Sequence, residues 1–404
     1  MSRIVCIDLL FNWPPDGGAR VDLKEVMTRL SARHEVTLLV PDFPDLFPRG
    51  RIAGDFPFGI ERIPFNRTTF NARHLPRAFA ERVARLRPDR LFIGDGWYLK
   101  FPLAAALARF RPVLRFYAYE GVCIKDYGTQ FLDGAICPNN YLRDALSCTR
   151  CALRHHRFRP LDAFSHEFLG ALAFTPLYRR WVKAALRGAS RVIVYNRFLR
   201  DLLAPHTASV IVAPSGVDIA AFAPSAEPAP PREKCVVLMT SRSGDPSKGF
   251  RVLAEAARIL RGRGEGFEIV IPTYSTGHVN GESVRFVPWR SQEELPRLYA
   301  GADICVVPSV WREPFGIAAV EAMAAGKPVV ASRTGGLADI VDDGVTGILV
   351  DPGDPAALAA GISRLLADPA LRVRMGRAGR DAAERRYAWD VLMREIYLPM
   401  FVQS

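Results

Sequence analysis

The sequence predicts an α/β protein of two Rossmann-like, doubly wound domains facing a cleft, and three observations predict it. The chain has 404 residues, more than one hydrophobic core usually serves, so two domains of about 200 residues are expected. Short apolar β-type runs alternate with segments of helical periodicity from end to end. A proline-rich stretch, Phe222 to Lys234, divides the chain where that alternation pauses, and its prolines exclude regular structure.

In the first half, Ile4–Leu10 reads as a strand, followed by a Gly-containing turn and a helix over Ala19–Ser31. Val36–Val40, Arg90–Ile93, Val113–Ala118 and Arg191–Tyr195 continue the strands, with helices such as Ala78–Leu86 and Phe198–Leu203 between them. The second half repeats the plan. Val236–Thr240, Glu268–Ile271, Val284–Val287, Ile304–Val307, Val329–Ala331 and Gly347–Val350 read as strands, and Phe250–Arg261 as a helix. Ligands of such sheets bind beyond the carboxyl ends of the strands.

Hydrophobic residues make up 49% and charged residues 24% of the chain, ordinary for a globular protein. The net charge of +12 is uneven: residues 1–213 hold 32 Lys+Arg against 19 Asp+Glu, and residues 214–404 hold 22 against 23. A basic first half suits anionic lipid headgroups or anionic substrates, or is simply a set of solvated arginine faces. Nucleic acid is not expected as a partner, because no nucleic-acid-binding motif accompanies the charge. The apolar run after Met1 is too short for a signal peptide, and no stretch approaches the roughly 20 residues of a membrane span. The expected location is the cytoplasm, with the inner face of the membrane as a possible station.

The strongest local signal is Glu313-Pro-Phe-Gly-Ile-Ala-Ala-Val-Glu321, running on to Gly326. It follows the strand Ile304–Val307 and opens a helix near Pro314, where proline is tolerated. Free N–H groups of Gly316 and Ile317 at that helix start would seat a diphosphate. Glu313 just before the helix and Glu321 within it could reach different parts of one extended ligand, and carboxylates suit vicinal sugar hydroxyls. The plain alternative is a buried αβ unit with incidental acids. A second loop, Ser241-Arg242-Ser-Gly-Asp-Pro-Ser-Lys248-Gly249, offers two cations suited to a pyrophosphate. A third, Asn12 to Arg20, carries Gly17-Gly18, which would let backbone approach a ligand closely. Tyr274, Ser275, Pro288 and Trp289 follow two other strands and could line a nucleobase pocket; Trp289 could equally be packing.

On these residues the chain resembles glycosyltransferase family 4, whose members have the GT-B fold. The Glu-x7-Glu pair Glu313/Glu321, the downstream run Ala331 to Asp354 and the Pro214-Ser-Gly-Val-Asp218 turn carry the resemblance. It implies that Glu313 contacts the donor sugar, Glu321 the ribose, and Phe315, Gly316 and Ile317 the diphosphate and sugar. It further implies that Arg242 and Lys248 clamp the donor phosphates and that Gly17 and Gly18 face the diphosphate. Pro214–Asp218 would be a hinge between a first domain over 1–213 and a donor domain over 214–387. Residues 388–404 would form a last helix crossing back to the first domain.

The resemblance breaks where many relatives have His-Asp. This chain reads Tyr117-Ala-Tyr119-Glu120, so Tyr119 and Glu120 become the acceptor-side candidates, with Asp95 behind them. Cys137, Cys148, Cys151 and His155 have spacing compatible with a structural Cys3His zinc site, in which Cys123 could replace one ligand; the alternative is a set of reduced cysteines. Basic residues interleaved with aromatics over 154–159 and 178–183 suit a membrane surface or, as plainly, a solvated helix face.

The expected function is retaining transfer of a hexosyl group from a UDP or GDP sugar to a glycan or lipid-linked acceptor, with no metal or cofactor in the chemistry. The alternatives are an epimerase or hydrolase of the same fold, and a non-catalytic nucleotide-sugar-binding protein.

Overall fold

Both large sheets are wholly parallel, and each follows from short β-branched runs buried on two faces. The computed structural model describes every residue except 16, 44–48, 126–130, 133, 156–161, 224–232, 275–282 and 403–404. The chain divides into two compact units. One comprises Met1–Gln130, Cys137–Ala213 and Met393–Ser404; the other comprises Phe131–Ile136 and Pro214–Leu392.

The first unit contains β1 (Arg3–Ile7), β2 (Glu35–Asp42), β3 (Gly59–Pro64), β4 (Arg90–Ile93) and β5 (Val113–Arg115). After a small antiparallel hairpin, β6 (Phe131–Leu132) and β7 (Ala135–Ile136), come β8 (Arg191–Val194) and β9 (Val210–Val212). The sheet order is β3-β2-β1-β4-β5-β8-β9. Two strands end earlier than the apolar pattern predicts, and a carboxylate ends each. Asp8 accepts the Leu10 N–H at 2.9 Å and stops β1. Glu120 accepts the N–H groups of Tyr117 (3.1 Å) and Ala118 (2.9 Å) and stops β5. Helix Arg197–Leu203 starts where the Asn196 side chain accepts the Leu199 N–H.

The second unit contains β10 (Cys235–Leu238), β11 (Phe267–Thr273), β12 (Val284–Pro288), β13 (Ile304–Val307), β14 (Val329–Ser332) and β15 (Gly347–Val350). Their order is β12-β11-β10-β13-β14-β15. The direction of strand succession reverses between β10 and β13, so the loops that follow these two strands flank the crevice where such sheets take ligands. The turn Pro214–Asp218 is held within this unit: Val217 donates to the Tyr387 carbonyl at 2.9 Å, and a Cβ on Gly216 would lie 2.3 Å from the Trp389 ring. The last helical stretch changes character along its length, from Trp389–Leu392 through a π-turn at Met393–Tyr397 to Leu398–Val402. Among the described residues no helix is long and apolar enough to cross a membrane.

Candidate functional site

The loops after β10 and β13 meet around one carboxylate. The Lys248 ammonium lies 3.0 Å from both oxygens of Glu313. Ser309 Oγ donates to Glu313 Oε2 at 3.0 Å and Trp311 Nε1 donates to it at 2.8 Å. Lys248 also sits 4.7 Å from the centre of the Trp311 ring. A carboxylate has about four lone-pair directions, and three of the four hydrogen bonds to Glu313 fall on Oε2. Oε1, bonded to Lys248, retains room to accept a ligand hydroxyl.

The backbone beneath is tightly built. Val310 donates to the Ser247 carbonyl at 2.9 Å, tying the two loops together. Gly249 has φ +76°, and a Cβ there would fall 1.8 Å from the Pro308 carbonyl oxygen, so only glycine fits. Gly336 donates to the Glu313 carbonyl at 2.8 Å.

Glu321 lies deeper, in helix Ile317–Ala324. It is buried, and Tyr299 Oη donates to its Oε2 at 2.8 Å while also meeting Thr240 Oγ1 at 2.8 Å. Burial pushes the Glu321 carboxyl up to about 7, and the Tyr299 hydroxyl pulls part of that back. Gly316 caps the helix start with φ 113°, where a Cβ would strike Leu337. Phe315 is buried, its ring edge-on to Tyr387 with centroids 6.1 Å apart.

Arg242 stands apart from this cluster. It lines a separate cavity of about 370 Å³ with Asp245, Thr273, Tyr274 and Trp289. Tyr274 and Trp289 stack with ring centroids 4.4 Å apart and planes 20° from parallel. The turn from Arg242 to Lys248 is tied by its own hydrogen bonds: Asp245 donates to the Arg242 carbonyl, Lys248 to the Asp245 carbonyl, and the Asp245 carboxylate accepts from Ser247. One loop therefore presents Arg242 to the aromatic cavity and Lys248 to Glu313. Ser275 lies outside the described residues.

In the first unit, Gly17 and Gly18 begin helix Gly18–Ser31, and a Cβ on either would meet nothing within 4 Å. Gly17 is extended, so the fold does not demand glycine there; what glycine leaves is open space. Behind them Arg20 donates to Asp95 Oδ2 at 2.5 Å and to the Leu10 carbonyl at 3.2 Å. Burial, and then the neighbouring Asp95 charge, push Asp8 up to about 7, with Arg20 opposing.

Tyr119 and Glu120 are both buried in the first unit. Tyr119 is fully buried, and its hydroxyl accepts from Asn196 Nδ2 at 3.2 Å. Glu120 is 4% exposed, and besides its two backbone N–H donors it pairs with buried Lys100 at 2.8 Å. That carboxylate is matched by a buried ammonium and by two backbone N–H groups at the end of β5. Cys137, Cys148 and Cys151 carry thiols, not disulfides. Among the described residues no three His, Cys, Asp or Glu side chains gather to hold a metal. Cys148 is buried, its thiol pushed up to about 12 by burial and then by Cys123 and Cys137. Cys151 Sγ lies 3.7 Å from His155 Nδ1, but that nitrogen is 2.9 Å from the Cys151 carbonyl.

Sequence reasoning missed Ser309, Trp311, Tyr299 and Thr240. A Trp two residues before Glu313 was the available signal. Tyr299 gave none, since it occupies an apolar position in helix Leu295–Ala300.

Residues 225–382 match the family described as glycosyl transferases group 1. D-inositol 3-phosphate glycosyltransferase of Salinispora arenicola is 35% identical over 214 residues, 45% of this chain and 47% of that protein. Phosphatidyl-myo-inositol mannosyltransferase of Mycobacterium leprae is 32% identical over 247 residues, 58% of this chain and 60% of that one. The chain thus spans about half the length of the curated relatives it matches. Among solved structures, sucrose-phosphate synthase of Thermosynechococcus elongatus superposes over 100% of both chains, with a TM-score of 0.71 at 22% identity. Anabaena HepE, solved in complex with UDP and glucose, covers 100% of both chains with a TM-score of 0.65 at 18% identity. The fold is therefore GT-B, and the segment that matches the group 1 glycosyl transferases contains all of the residues gathered around Glu313 and Glu321.

Proposed function

We propose that the chain is a retaining glycosyltransferase that moves a hexosyl group from a nucleotide-diphosphate sugar to a glycan or lipid-linked acceptor. The observation that carries this is the Glu313 carboxylate held by Lys248, Ser309 and Trp311, beside a helix start at Gly316 and a buried Glu321. In this account the base stacks at Tyr274 and Trp289, Glu321 accepts from the ribose, and Arg242 and Lys248 face the phosphates. Lys248 has three N–H bonds and commits two of them to Glu313, leaving one for a phosphate oxygen. As the sugar leaves, negative charge grows on the diphosphate, and these fixed cations and the N–H groups of the helix start stabilise it without reorganising. A phosphate oxygen then takes the acceptor proton, consistent with the structural role of Glu120.

Incubation with nucleotide sugars, with and without a candidate acceptor, tests the proposal through product analysis. Acceptor-dependent product with the donor's anomeric configuration supports it. Epimerised donor without acceptor, or binding with neither transfer nor hydrolysis, would select a different activity.

A further inference from the structure

Among the described residues between 146 and 177, six large apolar side chains are left exposed: Leu146, Leu153, Leu169, Leu172, Phe174 and Leu177. The turn that carries the last four is closed by backbone hydrogen bonds. Leu172 donates to the Leu169 carbonyl at 2.9 Å, Ala173 to Phe168 at 3.0 Å and Thr175 to Leu172 at 2.9 Å. Its side chains alternate, with Ala171 and Ala173 fully buried while Leu172 and Phe174 face outward. Leu172 has φ +52°, a left-handed conformation that costs a leucine about 1–2 kcal/mol. The fold holds an apolar residue outward at a position glycine or asparagine would occupy more easily.

Charge surrounds this turn. Helix Pro176–Gly188 carries Arg179, Arg180, Lys183 and Arg187 and no acid. Burial, and then Lys183, Arg179 and Arg187, hold the nearby His206 imidazole below its usual range. The turn also adjoins a groove of about 450 Å³ lined by Arg73, Pro76, Arg77, Pro102 and Trp181; Ala72 at its rim donates to the Gly170 carbonyl at 2.9 Å. Glu81 is engaged by Arg77 and Glu167 by Arg49, while Asp144 and Asp162 accept the backbone N–H groups of Ser147 and Ser165.

We infer that the turn Leu169–Leu177, with helix Pro176–Gly188 and the adjoining groove, docks on an anionic phospholipid surface. Leucine and phenylalanine would enter the acyl boundary, while Arg73, Arg180, Lys183 and Arg187 meet headgroup phosphates and Trp181 lies at the interface. A second copy of the chain fits less well, because a two-fold contact would set this basic helix against itself. The helix contains the 178–183 segment singled out in the sequence, whereas most of the other segment, 156–159 of 154–159, lies outside the described residues. This surface is independent of the donor site.

The test is sedimentation of the full chain with vesicles of phosphatidylcholine alone or mixed with phosphatidylglycerol, with no sugar nucleotide present. The chain is expected to sediment with the anionic vesicles at low salt and to be released near 1 M salt, where screening shortens to about 3 Å. Arg180→Glu/Lys183→Glu should weaken the association by roughly tenfold or more. Leu172→Asn/Phe174→Ser should weaken it by a similar factor, roughly tenfold, with the folded state verified by thermal unfolding. No sedimentation with anionic vesicles at low salt, or equal sedimentation with neutral ones, overturns the inference even if no variant folds. A dimer in solution that the Phe174→Ser change dissociates overturns it as well.

Discussion

Lys248 and Glu313, 65 positions apart in sequence, form a two-pronged ion pair, with the ammonium 3.0 Å from each carboxylate oxygen. The pair joins the loop after β10 to the loop after β13 at the point where the strand order reverses. Replacing Lys248 with Met should lower kcat/KM by about 100-fold or more, the scale of one lost charge-stabilising donor. Stability should fall by only about 1–2 kcal/mol, since Ser309 and Trp311 still hold Glu313. Steady-state kinetics beside thermal unfolding checks this; unaltered kinetics would remove Lys248 from the site.

Glu321 gives a pH dependence. Burial raises it from 4.5 to about 7, so the folded protein binds this proton more tightly than the unfolded chain. Its favourable contribution to stability is full below the unfolded value and is lost as pH rises through about 7. Under the proposed function donor binding runs the other way, because the ionised carboxylate would accept from the ribose. Affinity for a nucleotide sugar, whose diphosphate stays ionised throughout, should rise between about pH 6 and pH 8. Glu321→Gln should flatten that profile. A slope that survives the substitution would assign the dependence elsewhere.

Gly335 supports Glu313 from behind. It has φ +51°, and a Cβ would fall 2.1 Å from the Glu313 carbonyl oxygen. Gly335→Ala should cost more than about 2 kcal/mol and weaken donor binding, because the Glu313 backbone must move. Gly344 is the control: its φ is +76° with nothing within 4 Å, so Gly344→Ala should cost only about 1–2 kcal/mol of backbone strain. Chemical denaturation of both variants makes the comparison.

The stacked Tyr274 and Trp289 rings give a test of the base pocket. Trp289→Ala should raise the donor KM by about tenfold or more with kcat little changed, the pattern of lost uniform binding. An unchanged KM would return Trp289 to packing.

Glu120 separates structure from chemistry. Glu120→Ala leaves Lys100 buried without its carboxylate and should cost about 3–5 kcal/mol. Tyr119→Phe loses one hydrogen bond from Asn196, about 1 kcal/mol, and should leave kcat unaltered. A large fall in kcat at unchanged melting temperature in the Tyr119 variant would restore it to the chemistry.

The two parallel sheets were legible because buried strands are continuous apolar runs, as in Ile304–Val307 and Gly347–Val350. Strand β3 was not: Gly59–Pro64 is an edge strand with Glu61 and Arg62 in its middle, and edges need no apolar run. Strand ends were overrun at Asp8 and Glu120, since a side chain capturing backbone N–H groups leaves no periodic trace. In the candidate site the sequence exposed the carboxylates and cations, which stand on loops after strands. It did not expose Ser309, Trp311 or Tyr299, whose roles depend on hydrogen bonds made only in the fold.

Calorimetric titration of the intact chain with UDP, GDP and ADP hexoses, beside Glu321→Ala, bears most directly on the claim that the second unit holds a nucleotide sugar. One donor should bind saturably, and Glu321→Ala should weaken it by roughly tenfold or more, the scale of a hydrogen bond to a charged group. Binding by none of the donors, or equal binding by the variant, would contradict the account.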